Sequence, residues 1–165
     1  MGRGRWVVVG GASGYAAAAL YALAARLYVF EGAVRGYIGF SGYHIVFLGE
    51  TLRVPALDYA VLVSTTALLV TGIASMGMAV ATAIYGYADI HRSAIVFVPA
   101  AATLLRLSAE TAARVASKLS YHAHATSAGI VIPPHYTLHY SIYPLIAVAA
   151  AGGFYIASAI YEALS

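Results

Sequence analysis

Cysteine, asparagine and glutamine are absent from this 165-residue chain, and charge is scarce: 9 Lys+Arg and 6 Asp+Glu, 9% of all residues. Without cysteine there is no disulfide, thiolate zinc site, iron–sulfur cluster or c-type haem. The loss of three thermolabile residue types predicts a thermophilic, archaeal source. A soluble domain is about 25% charged and about 45–50% apolar. Here 62% of residues are hydrophobic and the mean hydropathy is +0.82. So few charges cannot cover a water-facing surface, which excludes an ordinary soluble enzyme domain and a disordered chain. The net charge of +3 is small. The basic residues are scattered, so no nucleic-acid partner is expected.

What the chain does have is long apolar runs. Trp6–Phe30 would form a helix of roughly 37 Å, enough to cross a hydrocarbon core of about 30 Å. The leading Met-Gly-Arg-Gly-Arg and the Ala22-Leu23-Ala24 triplet look like a signal peptide. The run is longer than a signal core, however, and reads as a retained transmembrane helix. Tyr59–Tyr87 has no charge at all. Asp58 is its expected N-cap, and Tyr85 and Tyr87 suit an interfacial aromatic belt.

The third span covers 93–107, and Pro99 is expected to kink it. Arg106, Glu110, Arg114 and Lys118 then recur every four residues. They form the charged face of an amphipathic extension to residue 119. Its opposite face is Leu105, Ala109, Ala112, Ala116 and Leu119. The pairs Arg106–Glu110 and Glu110–Arg114 have i,i+4 spacing. The leading reading is a helix leaving the bilayer, and the alternative is an intramembrane ion pair in a transport path. The fourth span is 141–164, with Pro144 in its first turn.

Two connections, 32–55 and 120–139, mix β-branched and aromatic residues with turn formers. Ser41-Gly42 and Gly49-Glu50 are turn candidates in the first connection. The second is expected to hold a strand over Tyr121–Thr126, a turn at Ser127-Ala128-Gly129 and a strand over Ile130–Ile132, before Pro133-Pro134. With four spans these connections emerge on one side, where pairing would satisfy their backbone groups outside the lipid. Ala88–Arg92 reads as a tight turn on the other side. The expected fold is a mainly α, polytopic membrane protein: one domain of about four transmembrane helices with a small β-rich cap. The cap side holds six basic residues (Arg26, Arg35, Arg53, Arg106, Arg114, Lys118) and the other side three (Arg3, Arg5, Arg92). The bias places the cap in the cytoplasm.

Small residues recur at helical spacing: Gly10, Gly14, Ala18 and Ala22; Gly72, Ser75, Ala79 and Ala83; Ala149, Gly153 and Ala157. Such stripes let helices approach closely in lipid, where no hydrophobic effect drives association. Contact between subunits is the favoured use. Gly10-Gly11-Ala12-Ser13-Gly14 looks like a phosphate loop, but it lies in an apolar span without Lys and suits helix packing better.

Five of six histidines fall on the cap side: His44, His122, His124, His135 and His139. His122 and His124 would share a strand face. His135 and His139 would share a helix face if the fourth helix starts early. Imidazoles so spaced are candidate ligands for Cu or Zn. The competing reading is polar interfacial residues beside Tyr121, Tyr136, Tyr140 and Tyr143. No H-E-x-x-H motif, internal haem-ligating histidine or catalytic constellation is evident.

The expectation is therefore a small membrane subunit with a structural or assembly role, with no catalytic activity of its own. It would work in a homo-oligomer, filament or larger complex, with bound lipid and other copies or other membrane subunits as partners. The alternative is a metal- or redox-associated subunit of a respiratory or oxidase-type complex that uses the cap histidines. A channel or carrier is a third reading, weakened by the few polar groups in the spans.

Overall fold

The structure, a computed structural model, describes residues 3–127 and 137–164, with side chains for 4–120 and 137–164. The chain is mainly helical, and four of its helices are long and apolar enough to cross a membrane. In chain order the elements are α1 (Arg3–Ala24), β1 (Arg26–Glu31), β2 (Val34–Gly39), β3 (Tyr43–Phe47), β4 (Glu50–Thr51) and α2 (Pro55–Tyr85). A 3-10 turn (Asp89–Ser93), α3 (Ala94–Ser127), β5 (Thr137–Tyr140) and α4 (Tyr143–Leu164) follow.

Helix α1 ends sooner than the apolar run suggests. Residues 26–30 are strand, not the last turns of a 6–30 helix. Leu27, Tyr28, Val29 and Phe30 are β-branched, aromatic or aliphatic, and the pairing of β1 with both β2 and β5 decides their conformation. Ser41 caps the break by donating its hydroxyl hydrogen to the Leu23 carbonyl at 2.6 Å.

Helix α2 begins at Pro55, four residues before the expected start. Val54, not Asp58, is its N-cap. Proline suits this first position because its missing N–H would have had no helical partner. At the far end Gly86 adopts the left-handed conformation, and its N–H bonds to the Thr82 carbonyl.

Helix α3 is one continuous element of 34 residues, about 51 Å long. It carries Pro99 inside it. Its backbone stays helical through Ser127, which overturns the strand expected over Tyr121–Thr126 and places the expected turn residue Ser127 in the helix. Ala128, Gly129 and the Ile130–Ile132 strand expected after it, with Pro133, Pro134 and His135, lie outside the described residues. Helix α4 starts at Tyr143 rather than early, so His139 belongs to β5 and shares no helix face with His135.

The five strands form one antiparallel sheet in the order β4-β3-β2-β1-β5. The first and third connections therefore do pair into a single cap. The turn between β3 and β4 has only Leu48 and Gly49, both at positive φ, as two-residue hairpin turns of the right twist require. Gly36 has φ +131° beside the His44 carbonyl, a position where a side chain would collide with backbone.

Two cores hold the molecule together. Val8, Ala12, Tyr15, Leu68, Leu105 and Tyr155 belong to the core of the bundle. Phe30, Val34, Ile38 and Ile45 from one sheet face pack on Leu57, Ala112 and Ala116 of α2 and α3. The upper half of α3 thus serves as the floor of the cap. Each large side chain there contributes about 1.5–3 kcal/mol against a water-exposed reference.

Candidate functional site

The bundle interior is more polar than the runs of apolar sequence suggest. Ser64, Thr71, Ser75 and Thr82 lie on the buried face of α2. Ser108 and Ser158 are buried beside them on α3 and α4. The α2 hydroxyls are spaced by seven, four and seven residues, one face of a helix. Ser75 donates back to the Thr71 carbonyl at 2.8 Å. Thr71 donates likewise to the Ala67 carbonyl at 2.6 Å.

His91, read as part of a tight turn, is 1% exposed. Its Nε2 lies 2.8 Å from the Thr82 hydroxyl, and its Nδ1 lies 2.7 Å from the Tyr155 hydroxyl. Thr82 gives its one hydroxyl hydrogen to the Tyr87 carbonyl at 2.7 Å. Nε2 must then carry the ring hydrogen and donate to Thr82. Nδ1 is left as an acceptor, so Tyr155 donates to it. The same logic orients the Tyr15 phenol, 3.1 Å from Thr71. Thr71 has already spent its hydrogen on Ala67, so Tyr15 is the donor. The sequence signal for this interior was the hydroxyl spacing on α2. Nothing local in Asp89-Ile90-His91-Arg92 shows that the histidine turns inward.

The small-residue stripes divide between two uses. Ala22, Gly72, Ser75 and Ala79 are buried within the chain, while Ala18 and Ala83 are half-buried. A methyl group at Gly72 would lie 3.3 Å from the Ala19 side chain. Gly10, Gly14, Ala149, Gly153 and Ala157 are exposed on the outside of the bundle. A methyl group at Gly10, Gly14 or Gly153 would meet nothing within 4 Å. The tight contacts inside belong to their neighbours. A methyl group at Gly11 would run into Ser158 and Tyr155, and one at Gly152 into Val98. The interior face is thus rotated by one residue from the stripes read in α1 and α4.

His44 and His139 are exposed on the cap. Their strands align His44, Tyr37, Val29 and His139 in one row. Three strand spacings separate the two imidazoles, about 14 Å at about 4.8 Å each, too far to share one ion. The strand on which His122 and His124 were to share a face is helical, and residues two apart on a helix do not face each other. Their side chains, and all of His135, lie outside the described residues. Among the described residues no group of three or more potential ligands surrounds a metal-sized space.

Arg106 pairs with Glu110 at 2.9 Å on the exposed side of α3. Among the described residues Glu110 shows no ion pair with Arg114. The Arg106 side chain is 80% exposed, so the pair does not line the bundle interior. No known protein family matches the chain, and neither does any curated protein sequence.

Proposed function

We propose that this chain is an integral membrane protein of four spans whose role is to assemble side by side with copies of itself. The observation that carries this reading is the outer surface of the bundle, which is as apolar as its core, unlike that of a soluble protein. Large apolar side chains point outward on all four long helices, among them Trp6, Leu20, Ile73, Ile84, Val96 and Phe154. Ser64, Thr71, Ser75 and Thr82 of α2 and, among the described residues, His91 point inward. Outward apolar chains need a hydrocarbon solvent, and inward polar groups need partners in it.

Between those outward chains lie the flat tracks of Gly10 with Gly14 and of Ala149 with Gly153. Among the described residues nothing lies within 4 Å of a methyl group placed at Gly10, Gly14 or Gly153, and in lipid they are surfaces on which a second helix packs closely. Tyr59 and Tyr143 at the cap end, and Trp6, Tyr85, Tyr87 and Tyr161 at the other, are exposed and suit the two interfaces. The excess of Arg and Lys on the cap side orients that side toward the cytoplasm.

The test is the size of the particle in a mild detergent, measured by light scattering with size exclusion. The wild type runs as an oligomer, and Gly14→Leu with Gly153→Leu reduces it to a monomer of unchanged helix content. A wild-type chain that is monomeric in detergent and in native membranes contradicts the assembly role.

A further inference from the structure

The bundle holds two tyrosines with no exposure at all, Tyr15 and Tyr155. Their ring centroids are 6.1 Å apart, and both pack on Phe97. They differ in the group that receives the phenol hydrogen. Tyr15 donates to the hydroxyl of Thr71, which has no useful basicity. Tyr155 donates to Nδ1 of His91, whose lone pair is a genuine base.

We propose that Tyr155 and His91 form a one-electron redox site, in which oxidation of the phenol is coupled to transfer of its proton to the imidazole. In the forward step Tyr155 loses one electron. Its O–H bond breaks, the proton crosses the 2.7 Å contact and an N–H bond forms at Nδ1. The products are a neutral tyrosyl radical and an imidazolium. The electron passes to an outer-sphere one-electron oxidant outside this chain, a high-potential metal complex. Return of an electron and of the proton restores the pair.

The surroundings favour this step at Tyr155 over Tyr15. A phenol oxidised with its proton in place is a radical cation, which an apolar core penalises heavily. Proton transfer moves that charge to a ring whose Nε2–H already bonds to Thr82. Thr82 in turn donates to the Tyr87 carbonyl, which polarises its oxygen into a better acceptor. Tyr15 has no comparable outlet. The hydrogen-bonded line from Tyr155 ends at Tyr87, which stacks on Tyr85 at 5.9 Å and is exposed. The proton donor and its acceptor lie in one chain, and an added oxidant tests them without any assembly, so this proposal and the assembly reading fail separately.

The experiment uses the full chain in lipid nanodiscs, oxidised by flash-generated tris-bipyridyl ruthenium(III) and followed by electron paramagnetic resonance. Many of the 14 tyrosines are exposed, and their radicals decay first. The expected result is a longer-lived neutral tyrosyl signal that Tyr155→Phe abolishes and Tyr15→Phe leaves in place. Isotope-labelled histidine in the unmutated chain supplies a readout that no folding defect can imitate. The radical then shows magnetic coupling to one imidazole nitrogen and to an exchangeable proton. Absence of the longer-lived signal, its survival in a folded Tyr155→Phe chain, or lack of histidine coupling overturns the proposal.

Discussion

Single hydroxyls connect the parts of this molecule. Ser64 and Thr65 both reach the Phe40 carbonyl, at 2.7 and 2.9 Å, and so tie the end of the sheet to α2. Tyr43 makes a second tie. Its oxygen accepts the Val54 N–H at 3.0 Å, and its hydrogen goes to the Asp58 carboxylate at 2.8 Å. Arg53 braces the other carboxylate oxygen at 3.0 Å. Asp58 is thus a first-turn anion that holds a sheet tyrosine, rather than the cap residue its position before an apolar run suggests. Burial holds the Tyr43 phenol above its ordinary value, against the pull of the Val54 backbone contact. The folded state therefore binds this proton more tightly than the unfolded chain does. The contribution of the clamp is whole below the ordinary tyrosine value of about 10 and is lost as pH rises through the raised value. Tyr43→Phe is expected to lower the melting temperature at neutral pH, with the gap from wild type closing as the solution becomes strongly alkaline. Thermal unfolding in detergent across that range checks this, and a gap that stays constant contradicts it. Neither Tyr43 nor His91 was legible as a linking residue, because their partners lie many residues away in the chain.

At the scale of elements, hydrophobic runs identify helices well and their ends poorly. The second and fourth spans were legible because Tyr59–Tyr87 follows Asp58, and Ser141–Leu164 carries Pro144 in its first turn and no charge before Glu162. The first overran because Leu27–Phe30 is as apolar as the helix before it, and only the partner strands make it β. The third was underestimated at its far end. Its charged stripe reads as a helix to 119, but the residues after it have strand-like composition while continuing a helix that Ala112 and Ala116 anchor to the cap. The glycines show the same limit in register. Composition found the small faces of α1 and α4, but contact, not spacing, distinguishes Gly11 from Gly10 and Gly152 from Gly153. Gly11→Leu is therefore expected to disrupt α1–α4 packing within one chain, destabilising it by about 1–3 kcal/mol or more, as overpacking does. Gly14→Leu should leave the melting of the single chain nearly unchanged. Paired thermal melts of the two variants under monomerising detergent conditions decide this, and equal destabilisation contradicts the assignment of faces.

For the whole molecule, the arrangement is a bundle of four helices long and apolar enough to cross a membrane, with a small antiparallel sheet at one end. The cap is closed by two chain segments far apart in sequence, β1–β4 and β5, so the ends of all four helices are held by one sheet and by α3. That arrangement was legible in outline from the alternation of apolar spans with β-rich connections. The interior was not, because apolar runs hide the few hydroxyls and, among the described residues, the histidine His91 that become buried. The proposal that hydrocarbon surrounds the bundle is tested by extraction of membranes from expressing cells. The chain should remain in the membrane pellet through an alkaline carbonate wash and enter solution only with detergent. Recovery as a compact, monodisperse particle in plain buffer would contradict the claim.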